Sequence, residues 1–205
     1  MTFGATQFIQ RGTYNDPVFT DAMDVRVEVF VKEQGVPAEN EKDEYDDGSM
    51  HWVVYASIPS PSNQTSADKH AVNGISSETE LSQNRTPVGT IRLIPPTVSK
   101  KTYILIGRLA VLKPFRKLGL AKLLLEEAIR YAESEGSTGG FDNPGEGLKW
   151  DGKCYIHAQT IVQEWWAKNG FYRDDDAGEW DEEGIMHVGM WRDVVLERRR
   201  SIIAL

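Results

Sequence analysis

The spacing of apolar residues changes several times along the chain, and each change marks a predicted secondary-structure element. Apolar residues recur at helical spacing after Pro17 and again over residues 118–135. Gly136 is expected to end the second helix. Shorter apolar and β-branched runs predict strands near 6–11, 51–57, 88–94, 103–112, 154–158, 171–172 and 185–191, with a short helix near 161–167. This order of elements predicts a mixed α/β fold.

Two further segments show no sustained period. Residues 59–87 are rich in Ser, Asn, Thr and Pro, and residues 137–152 are rich in Gly. A chain of 205 residues is long enough for one domain with a substantial core. We therefore expect a single domain over 1–205, with flexible insertions at about 59–87 and 137–152.

The balance of charge limits the classes of partner. Acidic residues outnumber basic ones by 31 to 23, which gives a formal charge of -8. Such a surface repels nucleic acids and anionic membranes, so we expect neither as a partner. The one compact basic cluster in the sequence, residues 198–200, is typical of a solvated last helical turn.

Other features of the composition favour a cytoplasmic protein and leave a nuclear location open. Cys154 is the single cysteine, so an intrachain disulfide is excluded. The first residues show no basic region followed by an apolar run, and no apolar stretch approaches the ~18 residues of a membrane span. We expect a monomer or a homodimer.

A phosphate-binding turn is the sharpest chemical signal in the sequence. The apolar run YILIGRLAVL is followed after three residues by RKLGLAKLLLEEA, so a buried strand leads into a helix. The first N–H groups of a helix and its dipole favour an anion. Gly119 lets the backbone approach a phosphate closely, and Arg116 and Lys117 add positive charge. The glycine spacing matches neither a nucleotide-triphosphate loop nor a dinucleotide loop, and an ordinary helix start is the alternative.

This turn resembles the acyl-CoA motif Q/R-x-x-G-x-G/A of the GNAT acetyltransferase superfamily, with Arg116, Gly119 and Ala121 at the defined positions. Other segments resemble the ElaA-like branch of that superfamily. They are RVEVFVKEQGV (26–36) with the acidic run and His51 after it, PVGTIRL (87–93), GRLAV (107–111), HAQ (157–159), Gly170-Phe171 and GIMH (184–187). Together they cover most of the chain outside the two insertions, so the chain is identified as a member of this superfamily.

The resemblance implies a central mixed, mostly antiparallel sheet that splays between two parallel strands and is flanked by helices. It implies acetyl-CoA as co-substrate and no metal. The pantetheine arm would lie between the strand of Leu109, Ala110 and Val111 and the strand 155–158, and the N–H of Leu109 would polarise the thioester carbonyl. The cofactor phosphates would bind Arg116 and the N–H groups of the turn, which belong to Lys117, Leu118, Gly119, Leu120 and Ala121.

The resemblance further implies direct attack of a neutral primary amine, on a small molecule or a peptide, assisted by a base and an acid. Candidates for the base are Glu33, which is expected to border the acceptor site, and His51, which opens a strand. A solvated carboxylate is the alternative for Glu33. His157 and His187 are expected to be core histidines held by hydrogen bonds.

The usual acid for the leaving thiolate is absent from the sequence. Many relatives carry a Phe-Tyr pair in the helix after HAQ, where this chain has Trp165-Trp166, and an indole N–H is not usefully acidic. Trp166 is expected to line the thiol end of the cofactor site, and Trp165 to pack in the core. Tyr172, which is predicted to lie in a following strand, is a candidate substitute acid. Cys154 is expected to be a small buried apolar residue rather than a nucleophile.

Two acidic segments bear on the acceptor. Residues 39–47 hold six carboxylates and residues 174–183 hold seven. If they flank the acceptor site, they favour a cationic amine such as a polyamine, an amino sugar or a lysine side chain; solvated loops are the alternative. Two other classes of function stay open. One is a non-catalytic acyl-CoA-binding protein, which Trp165-Trp166 keeps open, and the other is a protein–protein adaptor on the same fold.

Overall fold

The computed structural model describes residues 7–57 and 85–195. Within them, the strands are β1 (Gln7–Gly12), β2 (Met50–Ser57), β3 (Arg85–Ile94), β4 (Ile104–Val111), β5 (Lys153–Gln159), β6 (Tyr172–Arg173), β7 (Glu179–Glu182) and β8 (Ile185–Asp193). The α-helices are α1 (Pro17–Arg26), α2 (Ala38–Glu41), α3 (Pro96–Ser99), α4 (Leu120–Thr138) and α5 (Gln163–Lys168). A π-helical segment, Val27–Glu33, continues α1 directly.

The strands form one sheet in the order β1-β2-β3-β4-β5-β8-β6, and β7 also pairs with β8. β4 and β5 are parallel, and the other neighbouring strands are antiparallel. α4 lies in the long connection that parallel neighbours require. The expected mixed, mostly antiparallel sheet with flanking helices is confirmed.

Helices cover both faces of the sheet, and the alternation of buried side chains along each strand shows which helix covers which face. Val53 and Tyr55 of β2 pack with α1, whereas Val54 between them belongs to the main core with α4. Ala110 of β4 packs against the end of α1 and the π-helical segment. Ile156 of β5 joins the main core. We call the two sides of the sheet the α1 face and the α4 face.

A β-bulge interrupts β4. Thr90 of β3 pairs with Ala110, and Arg92 pairs with Gly107, so β4 holds one more residue than β3 between these two pairs. Arg108 lies within this stretch in the left-handed conformation, with a φ of 53°. A bulge of this kind bends its strand and increases the local twist.

The parallel pairing of β4 with β5 ends just before the bulge. It runs from Ile104 opposite Cys154 to Ile106 opposite Ile156 and stops there. Gly107 and His157 are therefore the first residues beyond the pairing. We call the gap between residues 107–111 and 157–159 the β4–β5 notch; it opens toward the carboxyl ends of both strands.

A buried cluster of charges lies beside the bulge. Its members, which we call the charge cluster, are Arg26, Glu41, Asp43, Asp46, Arg92 and Arg108. Nη1 of Arg92 donates to Oδ1 of Asp43 at 2.6 Å and to Oδ1 of Asp46 at 2.7 Å. Nη2 of Arg108 donates to Oδ2 of Asp43 at 3.1 Å. Three positive and three negative charges balance, so the cluster ties the bulge to residues 41–46 without leaving an unpaired buried charge.

The end of α4 differs from the sequence expectation. α4 continues through Gly136 and ends at Gly139, whose φ is 78°. A Cβ on Gly136 would lie 1.8 Å from Cζ3 of Trp150, so this glycine makes room for the indole rather than ending the helix. Residues 137–152, which we expected to be a flexible insertion, place Phe141 and Trp150 in the core.

β7 was not expected from the sequence. It forms a hairpin with β8 through Glu183 and Gly184, which have φ values of 56° and 77°. Two successive positive φ values are typical of a tight two-residue hairpin turn. The insertion expected at about 59–87 falls almost entirely outside the described residues; its last three residues begin β3. The basic cluster 198–200 also lies outside them.

Candidate active site

The connection from β4 to α4 has the features of an anion site. Lys117 and Gly119 both have left-handed φ values, 64° and 82°. A Cβ on Gly119 would meet nothing within 4 Å, so the space in front of this backbone is open. In the part of the chain that the structure describes, the backbone N–H groups of 117–122 donate no hydrogen bond to the protein. They carry the partial positive charge of the α4 N-terminus, which favours an anion.

Arg116 begins this turn, and its guanidinium faces the π-helical segment. Its Nη1 and Nη2 atoms donate to the two carboxylate oxygens of Glu33 at 2.7 and 2.6 Å. Its Nε donates to the carbonyl oxygen of Val111 at 2.9 Å. The side chain predicted to bind pyrophosphate is thus held at the end of β4 by a fork-to-fork ion pair.

Glu33 was a candidate for the general base. Its side chain is 37% exposed, and its hydrogen bonds from Arg116 lower the pKa of the carboxyl group from its usual value. A carboxylate with a lowered pKa is a weaker base. In this structure Glu33 therefore acts as the partner of Arg116, and a role as base stays a prediction.

His51 was the second candidate for the base, and its surroundings leave it no contact with a substrate. The ring has no exposed surface. Nε2 lies 3.1 Å from the backbone carbonyl oxygen of Asp46, beside the charge cluster. Burial lowers the pKa of His51 to about 4, so the ring is neutral at pH 7. We correct the assignment: His51 is a structural residue behind the bulge.

β4 presents one unpaired edge to the notch. On its other edge, Ala110 and Val111 pair with Thr90 and Gly89 of β3. The edge that faces β5 has no strand partner from Gly107 onward within the described residues. Backbone N–H and C=O groups need partners, so this edge is suited to an extended ligand with amide groups. It includes the backbone predicted to bind pantetheine, at Leu109, Ala110 and Val111.

His157 lies on the α1 face and is exposed, in contrast to the expected core histidine. Its neighbours Ile156 and Ala158 are in the main core, so its side chain points the opposite way. The imidazole is 48% exposed. Its Nδ1 atom lies 3.2 Å from Oε2 of Glu182. The period-two alternation of β5 places His157 on the face opposite Ile156 and Ala158, but it does not show whether that face is covered.

Of the remaining candidates, His187 and Cys154 are buried and Tyr172 is exposed. His187 is buried, and its Nδ1 lies 2.8 Å from the backbone carbonyl oxygen of Ile185, as expected. Burial raises the pKa of Cys154 to about 12, which excludes a reactive thiolate at neutral pH. Tyr172 lies in β6 with an exposed side chain.

The two acidic segments have different environments. Three of the six carboxylates of 39–47 belong to the charge cluster, so arginines neutralise half of the acidic charge of this segment. The segment 174–183 lies over the β5–β8 face, where Asp174 accepts a hydrogen bond from Tyr155 and Glu182 contacts His157. Asn40 donates to Glu183 at 2.7 Å, so the two segments meet.

Neither a metal site nor a membrane helix is found in the described ranges. No group of three or more His, Cys, Asp or Glu residues among 7–57 and 85–195 is placed to hold a metal ion. No helix in these ranges is long and apolar enough to cross a bilayer.

Comparison with known proteins identifies the family. Residues 36–140 match the Acetyltransferase (GNAT) family. The uncharacterized N-acetyltransferase YjcF of Bacillus subtilis is 30% identical over 179 residues, which cover 87% of this chain and 95% of YjcF. This chain belongs to the GNAT acetyltransferase family.

Solved GNAT-like structures share the fold. An acyl-CoA N-acyltransferase from Pseudomonas aeruginosa is 21% identical, with a TM-score of 0.59, and the match covers 92% of this chain and 99% of that one. ElaA of Escherichia coli is 17% identical, with a TM-score of 0.61, and the match covers 92% and 100% of the two chains. The expected GNAT fold, with ElaA among its structural neighbours, is confirmed.

α5 contains Trp165-Trp166, which replace the Phe-Tyr pair that the sequence comparison led us to expect in this helix. Trp166 is 7% exposed and packs edge-on against Phe171, with ring centroids 5.1 Å apart. Trp165 is partly buried and packs against Trp166, with centroids 4.9 Å apart. Both indoles contribute to the core beside β5. A place for Trp166 at the thiol end of the cofactor stays a prediction.

Proposed function

We propose that this GNAT protein is an N-acetyltransferase that moves the acetyl group of acetyl-CoA directly to a primary amine of a small molecule or peptide. One observation carries the proposal: the unpaired edge of β4 leads directly to the free N–H groups of the phosphate-binding turn. Acetyl-CoA contains both matching parts, an amide-bearing pantetheine arm and a pyrophosphate. The similarity to an acyl-CoA N-acyltransferase supports the choice of co-substrate.

The proposed cofactor contacts follow from these two surfaces. The backbone of Leu109, Ala110 and Val111 would bind the pantetheine arm. The pyrophosphate would bind the turn, through Arg116 and the N–H groups of Lys117, Leu118, Gly119, Leu120 and Ala121. Trp166 would lie nearest the thioester. Acetyl-CoA supplies the activated acyl group, and the protein would bind and orient it.

The transfer requires no oxidant or further reactant. The neutral amine nitrogen forms a bond to the carbonyl carbon, and the C–S bond breaks with its electron pair on sulfur. An acceptor that rests as an ammonium first gives one proton to water; during the transfer one further proton leaves the nitrogen, and one proton joins the sulfur. The products are an N-acetyl amine and free CoA, and the site contributes mainly by holding the two reactants together.

The acceptor is proposed to be cationic in its resting form. The β5–β8 part of the α1 face carries the rings of Tyr155, Trp180 and Trp191 and the carboxylates of Asp174 and Glu182. Aromatic faces and carboxylates both attract an ammonium group. The acidic segment 174–183, rather than the half-neutralised segment 39–47, supports this choice.

A second candidate function is a non-catalytic acyl-CoA-binding protein on the same fold. Trp165 and Trp166 favour it, because both indoles are used in packing and neither can donate a proton to a thiolate.

The experiment that separates these functions is an amine panel. Purified protein would be given acetyl-CoA with polyamines, amino sugars, lysine peptides and neutral amines, and released thiol and acetylated product would be quantified. Turnover with N-acetylation of any amine supports the transferase. Saturable acetyl-CoA binding with no turnover across the panel would favour the non-catalytic binder. Absence of acetyl-CoA binding by the folded protein would overturn both.

A further inference from the structure

His157 lies at the point where β4 and β5 separate, on the open side of the notch. It is the first β5 residue after the last parallel pair, as Gly107 is on β4. A Cβ on Gly107 would meet nothing within 4 Å, so no side chain occupies the space beside it. His157 points to the α1 face and its imidazole is half exposed, so the ring is open to solvent on the same side of the sheet as this space.

A hydrogen-bonded chain from β7 fixes the orientation of the imidazole. Nδ1 of His157 donates to Oε2 of Glu182 at 3.2 Å. The same carboxylate oxygen accepts from Nε1 of Trp180, also at 3.2 Å. The Trp180 ring meets the imidazole edge-on, with centroids 5.0 Å apart. With the proton on Nδ1, the lone pair of Nε2 remains available to accept a proton.

Two hydrogen bonds connect β5 and the β7–β8 hairpin to the segment that follows α1. Nε2 of Gln159 donates to Oε1 of Gln34 at 3.0 Å, which joins the end of β5 to the residue after the π-helical segment. Asn40 and Glu183 form the second link, at the tip of the β7–β8 hairpin. His157 lies on β5 and Glu182 on β7, so these two bonds connect both strands to residues 34–40, and both residues belong to the surface proposed to attract the acceptor.

We propose that His157 is the general base of acetyl transfer and that Glu182, held by Trp180, orients it. The inference rests on the proposed function. Nε2 of His157 takes one proton from the amine nitrogen as that nitrogen bonds to the carbonyl carbon and the C–S bond breaks. The imidazolium then gives this proton to water, and the sulfur takes one from water. The imidazolium is stabilised by the Glu182 carboxylate while it exists.

The charged and titratable groups around His157 come from three elements. On its own strand, Tyr155 packs edge-on at 5.8 Å between ring centroids, and its hydroxyl donates to Asp174. Glu182 faces it from β7. His187 of β8 stacks on Trp180, with 6.4 Å between the ring centroids. Hydrogen bonds from His157 and Trp180 lower the pKa of Glu182 to about 2, so Glu182 is a carboxylate across the working range of pH.

The first test needs no turnover. Nitrogen-detected NMR of the protein alone reports which imidazole nitrogen carries the proton. We expect His157 with its proton on Nδ1, and a mixture of tautomers in Glu182→Gln. Glu179→Gln is the matched control, because it removes a carboxylate of the same strand that pairs with Arg173 instead, and it should leave the tautomer unchanged. A His157 protonated on Nε2 in the wild type would overturn the proposal.

The second test is kinetic. His157→Gln should lower kcat about 100-fold, and Glu182→Gln about 10-fold, with acetyl-CoA affinity unchanged, since a positioned base contributes roughly 10²–10⁴-fold. The fall in activity toward acidic pH should disappear in His157→Gln. Imidazole should restore part of the activity of His157→Ala. An unchanged pH profile in His157→Gln would contradict the role of base, whereas loss of acetyl-CoA binding or turnover in the wild type would instead contradict the proposed function.

Discussion

Arg116 and Glu33 join the phosphate-binding turn to the helix side of the site through two parallel hydrogen bonds of 2.7 and 2.6 Å. The pair places a negative charge next to the turn proposed to bind a pyrophosphate. Both side chains are more than a third exposed, so the pair is only modestly stabilising in itself. Its main effect is therefore on the ligand, because the bound anion and Glu33 compete for the same guanidinium.

Substitution Glu33→Gln tests this competition. Removal of the carboxylate frees Arg116 and removes repulsion of the pyrophosphate, so the Kd for acetyl-CoA should fall about 3-fold, the size expected of an exposed ion pair. Glu28→Gln is the matched control, since Glu28 lies in the same π-helical segment and pairs with Lys32. Weaker binding in Glu33→Gln would show instead that Glu33 holds Arg116 in its binding position.

Gly119→Ala tests the turn itself. The left-handed φ of 82° costs an alanine about 1 kcal/mol, while its Cβ meets no atom of the described residues within 4 Å. The methyl group would stand in the open space where a phosphate approaches, so acetyl-CoA affinity should fall roughly 10-fold or more. Gly147→Ala, at a φ of 66° with equally open space, carries similar strain away from the turn. Equal acetyl-CoA affinity in the two variants would contradict the site.

Gly136→Ala separates helix propensity from packing. In an exposed helix this change stabilises by about 1 kcal/mol. Here the new Cβ would collide with the ring of Trp150, and overpacking costs about 1–3 kcal/mol, so we expect a net loss in the free energy of unfolding. Ser134→Ala, at an exposed position of the same helix, should be neutral or stabilising. Chemical denaturation measures both, and a stabilised Gly136→Ala would contradict the packing.

His51 predicts a pH dependence of stability. Its pKa is lowered from 6.5 to about 4 in the folded protein, so the folded state binds fewer protons than the unfolded state between these values. The stabilisation is complete above pH 6.5 and is lost as the pH falls toward 4, by about 3 kcal/mol in all. Denaturant unfolding at several pH values should show this slope in the wild type and a shallower one in His51→Gln. Parallel slopes in the two proteins would contradict the assignment.

The elements predicted correctly are those whose signal lies within one contiguous segment of the sequence. Short apolar runs located β2 to β5 and β8, and helical spacing located α4, because each of these elements contributes buried side chains to the core. The turn from β4 to α4 was also predictable, since Gly119 and its basic neighbours form a contiguous motif.

Features built from distant residues were not predictable in this way. β7 has the sequence EWDE, which lacks apolar alternation, and it forms only because β8 offers an edge. The exposure of His157 depends on which part of the sheet α1 covers. The neutralisation of the acidic segment 39–47 depends on arginines from α1, β3 and β4, up to 67 residues away along the chain. The periodicity of a single segment carries no information about these contacts between distant residues.

The most direct test of the account is a calorimetric titration of the purified protein with acetyl-CoA, in parallel with an Arg116→Glu, Gly119→Glu double variant whose folding is checked by circular dichroism. The account predicts saturable binding by the wild type, in the micromolar range of ordinary substrates, and no measurable binding by the folded variant. Equal binding by both proteins, or none by the folded wild type, would contradict the assignment of residues 116–121 as the acyl-CoA phosphate site.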